Sequence, residues 1–309
     1  MRVSAIFLRG LAMGAADIVP GVSGGTVAFI TGIYPRLLHS LRSFDLEFVR
    51  LLLRREPHAC WSHVDGTFLV FLLSGILTSV FSLARLFSWL LHTYPQPLWA
   101  FFFGLIFASA LLLLKQVPQW LWQQRLALLF GVTVAALIAL APRGEMIGGN
   151  PGIFLAGFIA ICAMILPGIS GSFILLLLGM YSTVLMAVKN IDLEFLLIFA
   201  VGAAAGLMCF SRLLYWLLSR FRATTVALLT GFLFGSLLVV WPWKRVLSWV
   251  TDRHGSLKPV QQLPVLPEEF LLRTGEDPLL VLCVLLALSG FFMVWLIDRK
   301  WGHLQVELQ

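Results

Sequence analysis

Six apolar runs dominate this chain, at residues 68–91, 98–114, 126–141, 193–218, 224–243 and 279–297. A helix needs about 20 residues to cross a bilayer, with about 17 near the lower limit, so each run is expected to span a membrane. No soluble fold hides that much apolar surface. Hydrophobic residues make up 60% of the chain and charged residues 12%, against about 45–50% and about 25% in soluble domains. Disorder is excluded on the same ground. A transmembrane β-barrel alternates polar and apolar residues, and Leu111-Leu112-Leu113-Leu114 does not. The expected class is an all-α polytopic membrane protein.

Two further apolar segments, 10–33 and 153–180, are each interrupted by Pro-Gly and a small polar cluster, and they are copies of one another. With a shift of 147, Pro20-Gly21-Val22-Ser23-Gly24 falls on Pro167-Gly168-Ile169-Ser170-Gly171, Tyr34 on Tyr181, and Asp45-Leu46-Glu47-Phe48 on Asp192-Leu193-Glu194-Phe195. Positions 10–48 hold 14 ungapped identities. With a shift of 127, Gly75 meets Gly202, Arg85 meets Arg212, and Trp89 meets Trp216. The first half therefore carries about 20 extra residues between 45 and 67. The second carries its own loop, 244–278, rich in proline and charge and expected outside the membrane. The chain reads as two repeats, 1–142 and 150–309.

Loop charge decides how the repeats are related. If the broken segments enter and leave on one side, each repeat crosses three times and the halves are inverted. Thirteen Lys and Arg then share the side of the N-terminus, against Arg143 and Lys189 opposite, the charge-balanced 244–278 loop aside. If the segments cross fully, the division is no better than 8 to 7. The expected architecture is two inverted repeats, each a broken re-entrant hairpin plus three transmembrane helices, with both termini cytoplasmic.

The breaks carry the chemistry. Proline removes a backbone donor and clashes with the preceding turn, and lipid cannot satisfy the groups a broken helix frees. Ser23 and Ser170 are natural N-caps for half-helices whose starts, Ser23, Gly24, Gly25 and Thr26 in one and Ser170, Gly171 and Ser172 in the other, offer N–H groups and a positive dipole end to an anion. Paired broken helices in corresponding places point to a transporter's central site; packing kinks are the plainer alternative. Arg85 and Arg212 occupy one repeat position within apolar runs, where an arginine costs at least about 2.5–3.5 kcal/mol. Either they snorkel to headgroups, or they share a role for which guanidinium suits phosphate.

Asp17 is the only acid in the first break, and its counterpart is Met164. It either satisfies loose N–H groups locally or forms a proton or sodium site that gives transport a direction. His39, His58 and His63 lack metal spacing and read as headgroup-facing, residues 45–55 as a basic interfacial helix, and the tryptophans, Trp99 among them, as an aromatic belt. The net charge of +7 fits basic loops on anionic headgroups and not nucleic acid. Cys60, Cys162, Cys209 and Cys283 have neither metal nor disulfide spacing, no metal or organic cofactor is expected, and no signal-peptide cleavage pattern precedes the first apolar stretch.

The run Gly14-Ala15-Ala16-Asp17-Ile18-Val19-Pro20-Gly21-Val22-Ser23-Gly24-Gly25-Thr26, followed by Gly32-Ile33-Tyr34, resembles the opening signature of the bacterial polyprenyl-phosphate transporter family. Leu166-Pro167-Gly168-Ile169-Ser170-Gly171-Ser172, followed by Gly179-Met180-Tyr181, is similar to it. The resemblance covers essentially the whole chain. It implies a non-enzymatic flippase that moves undecaprenyl phosphate across the cytoplasmic membrane and returns the carrier lipid for peptidoglycan and other envelope synthesis. The second motif departs by lacking an acid to match Asp17. Two alternatives stay open. An intramembrane undecaprenyl-pyrophosphate phosphatase would need acid–base partners, yet no Arg or His follows Ser23 or Ser170. A small-anion secondary transporter would use the same paired breaks.

Overall fold

The computed structural model describes residues 3–18, 23–141, 149–251 and 257–301. Pro20, Gly21 and the 142–148 junction lie outside the described residues, as do the side chains of Arg85 and Lys189. Among the described residues, the regular structure is helical apart from one hairpin. α1 (Val3–Ile18) leads through the first break to the short α2 (Gly24–Ile30), then α3 (Tyr34–Arg42). α4 (Leu46–Leu53) and α5 (Pro57–His63) precede three long helices, α6 (Gly66–Thr93), α7 (Pro95–Leu114) and α8 (Trp122–Leu140). The second half repeats the order: α9 (Gly149–Ile165), the second break, α10 (Gly171–Leu177), α11 (Tyr181–Asn190), α12 (Leu193–Arg220) and α13 (Arg222–Ser236). A β-hairpin follows, β1 (Lys244–Thr251) and β2 (Leu257–Pro264), then α14 (Pro267–Thr274) and α15 (Leu280–Trp301).

The matched Asp-Leu-Glu-Phe sequences do the same local work. Asp45 accepts a hydrogen bond from Phe48 N–H at 3.0 Å and Asp192 one from Phe195 N–H at 3.2 Å, each capping a helix. In the second half that cap opens the 28-residue α12 directly. In the first it opens only the eight-residue α4. The extra residues form α4 and α5, and the long helix begins afresh at Gly66, where Asp65 is held by Arg36 through two hydrogen bonds of 2.6 and 3.0 Å. α4 buries none of its residues; Leu46, Val49, Leu52 and Leu53 are all exposed.

Small residues let the long helices approach backbone to backbone. Gly10 of α1 lies against Leu72 of α6 and Gly14 against Ile76, so α1 and α6 run in one direction. Gly202 of α12 lies against Phe154 of α9 and Gly206 against Phe158, so the second half repeats that pairing. The remaining spans exchange partners: α8 lies along α13 and α7 along α15. The third long helix of each half is thus held by the second of the other.

Among the described residues, four helices are long and apolar enough to cross a membrane, in α6, α7, α8 and α12, while Gly149–Ile165 and Leu280–Leu296 are shorter apolar helices. The expected span 224–243 is cut short, because α13 ends at Ser236. There Leu237, Leu238 and Val239 donate to carbonyls three residues back, at 3.2, 3.4 and 2.9 Å. This tighter winding closes the helix, and Pro242 cannot continue it. The spanning part is helical as expected, and the 244–278 loop adds an antiparallel hairpin. It is tied to the helices by Trp241 Nε1 donating to Val265 O and Trp243 Nε1 to Pro278 O, both at 2.8 Å. Ala100, Trp243, Phe270 and Cys283 bury a small apolar cluster beneath it.

Candidate functional site

The two broken segments meet. Ser23 Oγ donates to Met164 O at 3.1 Å and lies 3.4 Å from Leu166 O. Gly168 N–H donates to Thr26 Oγ1 at 2.9 Å, and Tyr34 OH to Ile165 O at 3.0 Å. Ser23, Thr26, Tyr34 and Ser170 are all buried. At Gly25 the contact leaves no room for a side chain: a Cβ there would stand 2.7 Å from Ile165 O. Gly168 adopts φ +85°, a left-handed conformation that favours glycine.

The half-helix starts differ. Ser23 caps α2 as expected, its Oγ accepting from Gly25 N–H at 3.1 Å. Gly24 N–H donates to Asp17 Oδ1 at 2.7 Å, and Thr26 N–H to Ser23 O at 2.9 Å. Asp17 therefore occupies the position an anion would take at that helix start. Ser170 does not cap α10. Its hydroxyl pairs instead with Ser172 Oγ at 2.8 Å, and among the described residues the N–H groups of Gly171, Ser172 and Phe173 have no hydrogen-bond partner.

A cavity opens on each half-helix. One of about 320 Å³ is lined by Phe29, Tyr34, Gln116, Tyr215 and Arg222 among others. The second, of about 300 Å³, is lined by Ser172, Phe173, Tyr181, Trp99, Val239 and Lys244 among others. Trp99 lies in the second turn of α7 and Gln116 just past its end. The cavities are therefore separated by most of a helix about 30 Å long and sit at opposite ends of the bundle. Tyr34 and Tyr181, repeat equivalents, line one each.

Each cavity adjoins an outer pocket bearing cations. At the α3 end, the outer pocket of about 650 Å³ shares Tyr215 and Ser219 with the cavity. It collects His39, Arg42, Asp45, His63 and Arg212. Arg212 Nη2 donates to Phe44 O at 3.1 Å, and the Arg42 guanidinium lies 3.5 Å over the Tyr215 ring. Asp45 accepts from Phe48 N–H and pairs with His63 Nε2 at 3.0 Å. The first of these, then His63, holds its carboxyl below the usual carboxylate range. At the hairpin end, the outer pocket of about 880 Å³ shares Trp99, Lys244 and Gln262 with the cavity and adds Arg245, Arg273 and Glu276.

The site residues expected from sequence therefore fall in two places. Ser23, Gly24, Gly25, Thr26, Asp17, Ser170, Gly171 and Ser172 gather at or beside the crossing. Arg212 does not join them; its partners are Phe44 and the α3-end pocket. Arg85 lies on α6, its side chain outside the described residues. Nothing in the sequence sets Lys244 apart within the 244–278 loop, and the repeat aligns Tyr34 with Tyr181 without assigning either a role.

Crossed helix breaks between two end cavities define a helical membrane protein of the transporter class. Comparison with known proteins makes this specific: residues 13–258 match the VCA0040-like, undecaprenyl phosphate translocase-like family, and the chain belongs to it. It is 45% identical over 294 residues to the polyprenyl-phosphate transporter of Vibrio cholerae serotype O1, covering 95% of this chain and 96% of that one. It is 34% identical over 254 residues to the polyprenyl-phosphate transporter of Staphylococcus aureus, covering 76% and 85%. No solved structure matches it.

Proposed function

We propose that this protein translocates polyprenyl phosphate, with undecaprenyl phosphate as the lipid, across the bacterial cytoplasmic membrane. The observation that carries the reading is the pair of cavities at opposite ends of the bundle, back to back across the crossing and each adjoining a cationic pocket. The polyprenyl tail is apolar enough to stay in lipid. Only the phosphate needs shelter, and a cavity of about 300 Å³ is of headgroup size. The family and its named relatives support the same substrate.

Inverted repeats, 1–142 and 150–309, fit this arrangement. The C-terminal end of α9 meets the start of α2 at the crossing, α1 and α9 each run parallel to their own long helix, and Tyr34 and Tyr181 line opposite ends. In this reading both termini and the α3-end pocket are cytoplasmic, and anionic headgroups contact α4. Arg212, with Arg42, receives phosphate on that side, and Arg85 is its repeat counterpart. The bonds of Ser23, Thr26 and Tyr34 across the crossing are those that rocking of the repeats would exchange. Asp17, a carboxylate beside the break, is the proposed proton or sodium site. A transporter is favoured over a hydrolase because the Ser23 hydroxyl bonds backbone groups and that of Ser170 another serine, with no acid–base partner bonded to either among the described residues.

The test is transfer of labelled undecaprenyl phosphate between leaflets of liposomes holding the purified protein. Arg212→Ala is expected to slow transfer about tenfold or more, the scale of one charge-assisted contact, and Arg212→Lys by less. Phosphate release from the pyrophosphate lipid would instead mark a hydrolase, and counterflow with soluble anions alone a small-anion carrier. Cysteines placed near Tyr34 and Tyr181 should label from opposite sides; labelling from one side would sink the inverted arrangement.

A further inference from the structure

Lys244 opens β1, beyond the last helical turn of α13. As a residue it is half-buried, but its ammonium end lies deep between α7 and the chain leaving α13. Nζ donates to Val239 O at 2.5 Å and lies 3.8 Å from the centre of the Trp99 ring. An ammonium has three donors, and only one is used by a hydrogen bond among the described residues. Its cationic neighbours are compensated: Glu269 lies 2.7 Å from Arg273 and 3.9 Å from Arg245. Lys244 has no ion pair among the described residues.

Its position is as telling as its missing counter-charge. Lys244 lines both the inner cavity that reaches Ser172 at the start of α10 and the outer pocket under the hairpin. A group moving between those spaces passes the ammonium. The inner walls, among them Leu140, Phe173, Leu176 and Leu238, are apolar and suit an isoprenoid chain, while Lys244 is the one cation among that cavity's described lining residues. We propose that Lys244 is a headgroup-binding residue at the hairpin end, receiving the phosphomonoester of a polyprenyl lipid between outer pocket and inner cavity. The proposal rests on the translocase reading and names its docking point opposite Arg212. Burial pushes the free ammonium down to about 7; an arriving phosphate supplies the missing negative charge and displaces the Trp99 ring as its partner.

The competing role is structural, Lys244 sealing the open carbonyl of Val239. Lys244→Gln separates the two, because the amide still donates to that carbonyl but carries no charge. The experiment measures binding of farnesyl phosphate, farnesol and inorganic phosphate to the full-length protein in detergent, beside liposome transfer of labelled undecaprenyl phosphate. Lys244→Gln should weaken farnesyl phosphate binding about tenfold or more, leave farnesol binding and the thermal midpoint as in wild type, and slow transfer. Lys244→Arg should keep most of the affinity. If wild type transfers the lipid and Lys244→Gln binds and transfers equally well, the Lys244 site is wrong and the translocase reading stands. If wild type transfers none, the translocase reading fails and takes the site with it. Inorganic phosphate binding as tightly as farnesyl phosphate, with the same dependence on Lys244, would assign the site to free phosphate and overturn the lipid.

Discussion

The first and second breaks share the sequence Pro-Gly-x-Ser-Gly, yet they end in different chemistry. At α2 the chain supplies its own anion: Asp17 accepts from Gly24 N–H, and Ser23 takes those of Gly25 and Thr26. At α10 the residue in Asp17's place is Met164, the serine turns to Ser172, and three N–H groups stay open among the described residues. One substitution at equivalent positions thus separates a self-satisfied helix start from an open one. The two breaks are similar in sequence, and they differ in what satisfies the helix start that follows each.

The largest expected effect comes from erasing that difference. Asp17→Asn keeps an acceptor for Gly24 N–H but removes the charge. Gradient-driven transfer in liposomes should fall about tenfold or more, the scale of a lost charged contact, with protein yield unchanged. If transfer responds to an imposed proton or sodium gradient as before, Asp17 is a local cap. Met164→Asp makes the opposite move. Met164 is 41% exposed and its Cβ lies near Gly171, so a carboxylate there can reach the open N–H groups. Headgroup affinity should drop several-fold, by about one neutral hydrogen bond or more, while Met164→Leu should change little.

A smaller effect, on pH, distinguishes the two ends of the bundle. Burial pushes the Lys244 ammonium down to about 7, so it loses its proton as pH rises through that value; the pocket at the other end carries Arg212 in place of a lysine. The groups facing Lys244 are Arg245, Arg273 and Glu276 in the outer pocket, Glu269 between the two arginines, and Tyr181 in the cavity. A phosphomonoester gains its second charge near pH 6. Farnesyl phosphate affinity at the hairpin end should peak between about 6 and 7 and fall about three- to tenfold by pH 8.5, as the ammonium loses its proton. Lys244→Arg should flatten the alkaline limb; an unchanged limb would mean that another group sets it.

Much of this arrangement is legible in the sequence. The breaks, the matched Asp-Leu-Glu-Phe sequences and the place of the insertion follow from the repeat, because local chemistry such as proline geometry survives duplication. What escapes is set by the surroundings of each copy. Arg212 meets Phe44 O, supplied by the loop between α3 and α4, a partner that the repeat does not reveal. Repeat symmetry fixes a residue's depth along its helix but not which neighbour an insertion brings beside it. The short α13 and the hairpin were hidden for a related reason: an apolar run through Val239 and Val240 reads as helix until hydrogen bonding tightens at Ser236. Trp99 looked like one more belt tryptophan, and only folding sets Lys244 over its ring.

The cleanest control reads stability rather than affinity, and it uses one residue type at one repeat position. Tyr34 is 1% exposed and donates its hydroxyl to Ile165 O at 3.0 Å, across the crossing. Tyr181 is 37% exposed, lines the hairpin-end cavity and has no side-chain hydrogen bond among the described residues. Ile165 is the last residue of α9, so its carbonyl is one of those a helix end leaves without an internal partner. Tyr34→Phe strands that carbonyl in a buried setting and should cost about 1–3 kcal/mol; Tyr181→Phe should stay within about 0.5 kcal/mol. Thermal midpoints in detergent give the ranking. Transfer rates add a second reading. If rocking must break the Tyr34–Ile165 bond in each cycle, Tyr34→Phe lowers the midpoint without slowing transfer, separating stability from turnover. Equal midpoints for the two variants would mean that the crossing is not held by this bond, and that the breaks differ less than Asp17 and Met164 imply.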